Sequence, residues 1–297
     1  MKGRRKQHTF KNSGAIFILP AFLVVALVMF FPLLYNIALS FFEKTIYNAD
    51  WKFVGIEQYI DLLTSGKFLN ALKNTVVWTF FSVVFQFVIG FLVALVLAQE
   101  RVKLRGIWRC LIMLPWVLPS IIGSMVWRWM YHSDFGILND ILMKLGSINE
   151  AIPWLGSKEF ALISAIIVNV WKMFPLVLLY IEAALQSVPK SLQDAAVVDG
   201  ANAFHCFRVV TWPHIAPTCK TVVLLLSIWT LNAFTFIYVL TGGGPGTSSQ
   251  VLSLFIYREA FQNFNYGSAA AASTILFIIV AVFSSIYIKL STGGEDQ

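Results

Sequence analysis

The chain has 297 residues, of which 58% are hydrophobic and 12% charged, with a net charge of +7. Soluble domains carry about a quarter charged residues, so a water-solvated surface is excluded. A mean hydropathy of +0.74, with 26 Phe and 10 Trp to hide, points to lipid as the solvent. The basic excess does not make a nucleic-acid binder either, because Lys and Arg lie between apolar runs and do not collect on one soluble face.

Six runs are long enough to cross a hydrocarbon core, at about 20 residues each: 14–42, 74–98, 110–131, 160–185, 221–241 and 268–288. The expected fold class is therefore all-α, a polytopic membrane protein with six transmembrane helices. It comprises a tail at 1–13, a membrane domain at 14–290 and a tail at 291–297. The first run is too long for the hydrophobic region of a signal peptide and has no small-residue cleavage site, so it should remain as a span. Pro20 and Pro32 should kink it.

Thirteen Lys and Arg flank the runs on the side of the two termini, against seven on the opposite side. Positive-inside bias then sets both termini in the cytoplasm. Trp78, Trp108, Trp127, Trp129 and Tyr131 suit interfacial belts or, equally, core packing. Cys110, Cys206 and Cys219 are odd in number and lack metal-ligand spacing, so they are expected reduced and structural.

Between the fourth and fifth runs lies a segment of different character, 186–216. Pro189 and Ser191 suit a helix start, Gly200 a left-handed stop, and Pro213 the opening of the next helix, which predicts two short helices lying across the membrane axis. Ala195 and Ala196 leave a small-residue face that a partner groove could seize, although an ordinary amphipathic connector fits the spacing as well.

Asp194, Ala195, Ala196, Gly200, Val210, Trp212 and Pro213 resemble the Glu-Ala-Ala loop of ABC importer permeases, with Asp for Glu, Val for Ile and Trp for Leu. The resemblance implies the type I importer permease fold and makes Asp194, Ala195, Ala196, Asp199, Gly200 and Pro213 the element that couples to an ATPase. Gln186 to Leu192 and Leu240 to Pro245 are similar to sugar-importer permeases that pair with a second, different permease. The partners so implied are that permease, two ATPase subunits binding ATP and Mg, an extracytoplasmic solute-binding protein and a sugar, at a bacterial or archaeal inner membrane. No cofactor is expected in this chain. The Gly-Gly-Gly-Pro-Gly run lacks Gly-Lys-Ser/Thr, so it should form an external turn, and no Walker motif occurs elsewhere.

Ionisable residues within spans need an account, since a charge at mid-helix costs roughly 2.5–3.5 kcal/mol on insertion scales. Arg128 and Glu182 lie near span ends, where snorkelling serves. Lys172 lies deeper and either lines the translocation route, where it would favour an anionic substrate, or makes a salt bridge or carbonyl contact inside the bundle. Sugars are held by amides, hydroxyls and aromatic faces. Asn169, Asn232, Trp116 and Ser120 offer these, with Trp116 and Ser120 one turn apart on the third span, unless each only bonds a neighbouring helix. By resemblance to the maltose-type permease, Trp116, Ser120, Asn169, Lys172 and Asn232 match pore-lining positions, though several side chains differ there, Lys172 included.

Three other classes fit less well. An intramembrane enzyme would need a nucleophile, acid pair or metal cluster that the sequence does not show. An autonomous secondary transporter should carry two similar halves or ion-coupling acids, and a membrane adaptor would leave the polar span residues without purpose.

Overall fold

The computed structural model describes residues 13–47, 51–99 and 101–292. Most of both predicted tails therefore lies outside the described residues. Within them the chain is all-α apart from one small hairpin.

The first apolar run forms α1 (Ser13–Val25), a π turn (Ala26–Phe30) and α2 (Phe31–Leu39). Pro32 has no N–H for the preceding turn, and the π turn that shifts the hydrogen-bond register stands directly before it. Pro20 sits inside α1. A hairpin of β1 (Phe42–Glu43) and β2 (Lys52–Phe53), then α3 (Glu57–Thr64), lead into α4 (Gly66–Ala98), which starts well before the predicted 74.

The third run is not one helix. It divides into α5 (Arg105–Val117) and α6 (Ser120–Met130), which meet at 94°. Hydropathy is uniform through this stretch, but Pro119 cannot donate to the carbonyl of Pro115, and an X-Pro sequence drives Leu118 out of the helical region, to ψ 138°. After α6 comes α7 (Ile137–Lys144). Its buried Asn139 donates to the carbonyls of Ser133 and Ile152 and accepts from Trp154 Nε1 at 2.9 Å, which ties the connection into one turn.

Helix α8 (Phe160–Gln186) is the axis of the molecule, packed on α4, α5 and the fifth span. Val83 and Leu97 of α4, Val177, Leu178 and Ile181 of α8, and Ile215 and Leu226 beyond form its main apolar cluster. Lipid tails are as apolar as these side chains, so close packing has to hold the helices together. Gly90 allows it, because a Cβ there would stand 2.5 Å from the Phe174 carbonyl oxygen and 2.5 Å from Val177 Cβ.

After α8 come α9 (Lys190–Val198), α10 (Ala203–Cys206), a π turn (Phe207–Thr211) and α11 (Trp212–Leu231). The second predicted short helix is thus the first part of the fifth span, a helical run of 29 residues from Ala203 to Leu231. Pro213 lies within that run, just past the π turn, and does not open a separate helix. The run also stops ten residues before the predicted end at 241. Side chains satisfy carbonyls at its end and just beyond: Trp78 Nε1 donates to Thr230 O (3.0 Å), Asn232 Nδ2 to Ile228 O (2.8 Å) and, past the end, Ser253 Oγ to Ala233 O (2.8 Å).

The chain resumes as α12 (Thr235–Leu240), packed on α6, and then turns through Gly242, Gly243 and Gly246, all at positive φ. Asn70 and Asn74 of α4 donate to the carbonyls of Thr247, Ser248 and Gln250, which fastens the turn to the second span. Helices α13 (Leu252–Phe261) and α14 (Tyr266–Thr292) complete the bundle, and Asn36 on α2 bonds Ser273 Oγ on α14 at 2.9 Å. Trp78 and Tyr131 prove to be core residues, whereas Trp108 and Trp129 lie at the surface.

Candidate functional site

The break between α5 and α6 turns Ser120, the first residue of α6, inward. There it meets Asn169 from the middle of α8 and Asn232 from the end of α11, around an opening of about 290 Å³. Trp229, Phe234, Phe236 and Met173 complete the wall, so polar groups alternate with flat apolar surface. Asn169 is 2% exposed, and its Nδ2 has no hydrogen-bond partner among the described residues. A buried amide donor left unpaired costs on the order of 1–3 kcal/mol.

Two of the predicted pathway residues are elsewhere. Trp116 lies before the break and not on the same helix as Ser120, so the expected one-turn spacing does not exist. Its indole is not in the cavity wall. Lys172 is buried, and its ammonium donates to the carbonyls of Pro115 (2.9 Å), Trp116 (2.7 Å) and Leu118. The carbonyl contact is the alternative the structure realises. Glu182 does not snorkel: it is buried and accepts two bonds from Arg109, one of them from Nε at 2.9 Å. Arg128 remains exposed, with a bond to Val239 O at 3.3 Å.

The segment after α8 is built by local rules. Gly200 has φ +85°, Ala201 N–H bonds Ala196 O (2.9 Å), and Gly200 N–H bonds Val197 O (3.0 Å). This pair of bonds is a Schellman stop. Asn202 then caps the next helix by accepting from His205 N–H at 2.8 Å. Asp194, Ala195, Asp199, Gly200 and Pro213 are exposed, and Ala196 is half-buried. Leu192, Val197, Val198 and Phe204 are exposed beside them. Sequence reasoning passed over these four, as it did the aromatic cavity wall, although the Val197-Val198 pair at a helix end was a visible signal.

A multi-span helical bundle with a cavity of amides and aromatic faces, and a capped turn leading into its fifth span, suits a membrane transport subunit. A family model described as the binding-protein-dependent transport system inner membrane component matches residues 86–291, and the chain belongs to that family of ABC importer permeases. It is 34% identical over 286 residues to the trehalose/maltose transport system permease protein MalF of Thermococcus litoralis, covering 95% of each chain. It is 33% identical to the inner membrane ABC transporter permease protein YcjO of Escherichia coli, covering 89% of each. Among solved structures it resembles a chain of a bacterial ABC transporter involved in the import of the acidic polysaccharide alginate, with a TM-score of 0.80, 24% identity and 93% and 94% of the two chains covered. The fold is that of a type I importer permease.

Proposed function

We propose that the chain forms half of the translocation pathway for a sugar and takes its energy from separate ATPase subunits that bind ATP and Mg. One observation carries the substrate class: an unpaired buried amide, Asn169, stands at a cavity shared with Ser120 and Asn232 and faced by Trp229, Phe234 and Phe236. Amides match hydroxyl rims, and aromatic faces match the C–H patches of a sugar ring. The name of the Thermococcus relative supports the same class.

The partners follow from what the chain's motifs omit. A second, different permease completes the pore, an extracytoplasmic binding protein delivers the sugar, and two ATPases grip the loop from Asp194 to Gly200. Both termini and this loop lie in the cytoplasm. Uptake by the reconstituted importer tests the pathway: Asn169→Leu should raise KM or lower the maximal rate for the cognate sugar at least tenfold while binding-protein-stimulated ATP hydrolysis persists. Normal uptake by that variant overturns the reading.

The loop has its own test. A Cβ at Gly200 would meet nothing within 4 Å, so substitution acts through backbone strain alone. At φ +85° a β-branched residue costs about 1 kcal/mol or more. Gly200→Val should therefore assemble but lose uptake relative to ATP hydrolysis. An unchanged ratio of sugar moved to ATP hydrolysed would count against the docking role.

A further inference from the structure

Lys172 is the buried cation that the cavity leaves unused. Helix α5 ends at Val117, and its last carbonyls lack helical donors; Pro119, four residues after Pro115, has no N–H to give. An ammonium has three hydrogens, and Lys172 spends them on three acceptors, the carbonyls of Pro115, Trp116 and Leu118. A cation at a helix C-terminus also meets the negative end of the helix dipole. Leu118 is already past the end of α5, so the lysine ties the helix to the linker that turns by 94°. Two residues on, Ser120 enters the cavity wall.

The neighbouring residue adds a second constraint. A Cβ on Gly123 of α6 would lie 3.4 Å from the ring of Trp171, so α6 rests on the residue beside the lysine. At the other end of α5, Arg109 is bonded to Glu182. Both ends of α5 are thus fastened to α8 through charged groups.

The geometry points to Lys172 as a positioning residue for transport: its ammonium caps the broken third span and so keeps Ser120 at the cavity, and it does not meet the sugar. This rests on the cavity being the pathway. All three ammonium hydrogens are engaged, so the lysine has none to give a substrate, and losing it affects neutral and acidic sugars alike.

The test uses the intact importer in proteoliposomes, with Cys110, Cys206 and Cys219 replaced by Ser and Ser120→Cys as a reporter. Protection of that thiol by sugar, in protein that keeps Lys172, checks the pathway reading separately. Lys172→Met should change the rate of thiol modification by a membrane-impermeant reagent at least fivefold and lower uptake of neutral and acidic sugars by the same factor. Lys172→Arg, which still donates to the carbonyls, should restore most of both. If Lys172→Met fails to assemble, Lys172→Gln, whose shorter amide keeps two donors but no charge, should show the same direction of change. Modification at the unsubstituted rate in either assembled variant, or loss confined to acidic sugars, overturns the assignment.

Discussion

Replacing Gly90 with leucine should leave no folded chain in the membrane. The added Cβ alone would meet the Phe174 carbonyl and Val177 Cβ at 2.5 Å each. The carbonyl of Phe174 belongs to the backbone of α8 and cannot swing aside as a side-chain tip can. Even Gly90→Ala should cost about 1–3 kcal/mol, the usual range for overpacking. The leucine has to push α4 off α8 along the largest interface in the bundle, where packing is the main attraction. Size-exclusion chromatography of the solubilised importer reads the result, with Gly106→Ala as a control because a Cβ there meets nothing within 4 Å. A monodisperse Gly90→Leu complex at normal yield contradicts the packing described for α4 and α8.

The second large effect is asymmetric. Glu182 and Arg109 share a forked contact, but the side chain of Arg109 is 41% exposed and that of Glu182 only 7%. Arg109→Met removes both bonds to a buried carboxylate and should cost about 3 kcal/mol, the low end for breaking a buried pair. Glu182→Gln leaves the guanidinium free to turn towards the adjoining opening of about 450 Å³ and should cost about 1 kcal/mol. Combining Arg109→Met with Glu182→Leu should recover much of the larger loss, since no charge is then stranded. Thermal unfolding of the three variants in one detergent orders them, and equal losses from the two single changes would show that the pair is solvated in the working protein.

The fold class was open to inspection in the sequence because lipid imposes a long-range regularity, an apolar run of fixed minimum length. The Gly200 stop was equally visible, since a Schellman turn depends on residues within six positions of one another. What escaped were features whose cause lies far along the chain or in the backbone. For Lys172 a pathway charge and a contact inside the bundle stayed equally open, because carbonyls leave no mark in a residue pattern. Glu182 looked solvated because its partner stands 73 positions earlier. The helix that carries the fifth run begins at Ala203, well before the predicted 221, a start hidden because His205, Arg208, His214 and Lys220 lower the hydropathy. The third was drawn straight because Pro119 weighs little in a hydropathy sum, yet that break is what sets Ser120 opposite Asn169 and Asn232.

The unbroken run from Ala203 to Leu231 has a mechanical meaning. At 1.5 Å per residue, 29 residues make a rod roughly 44 Å long. Its foot is pinned by the Asn202 cap beside Gly200, and its head ends at Asn232 in the cavity wall. On the proposed function, a displacement of about one or two ångströms at the foot would reach Asn232 with little slack, save what the π turn at Phe207–Thr211 takes up. The capped loop and the cavity wall are thus two ends of one strut.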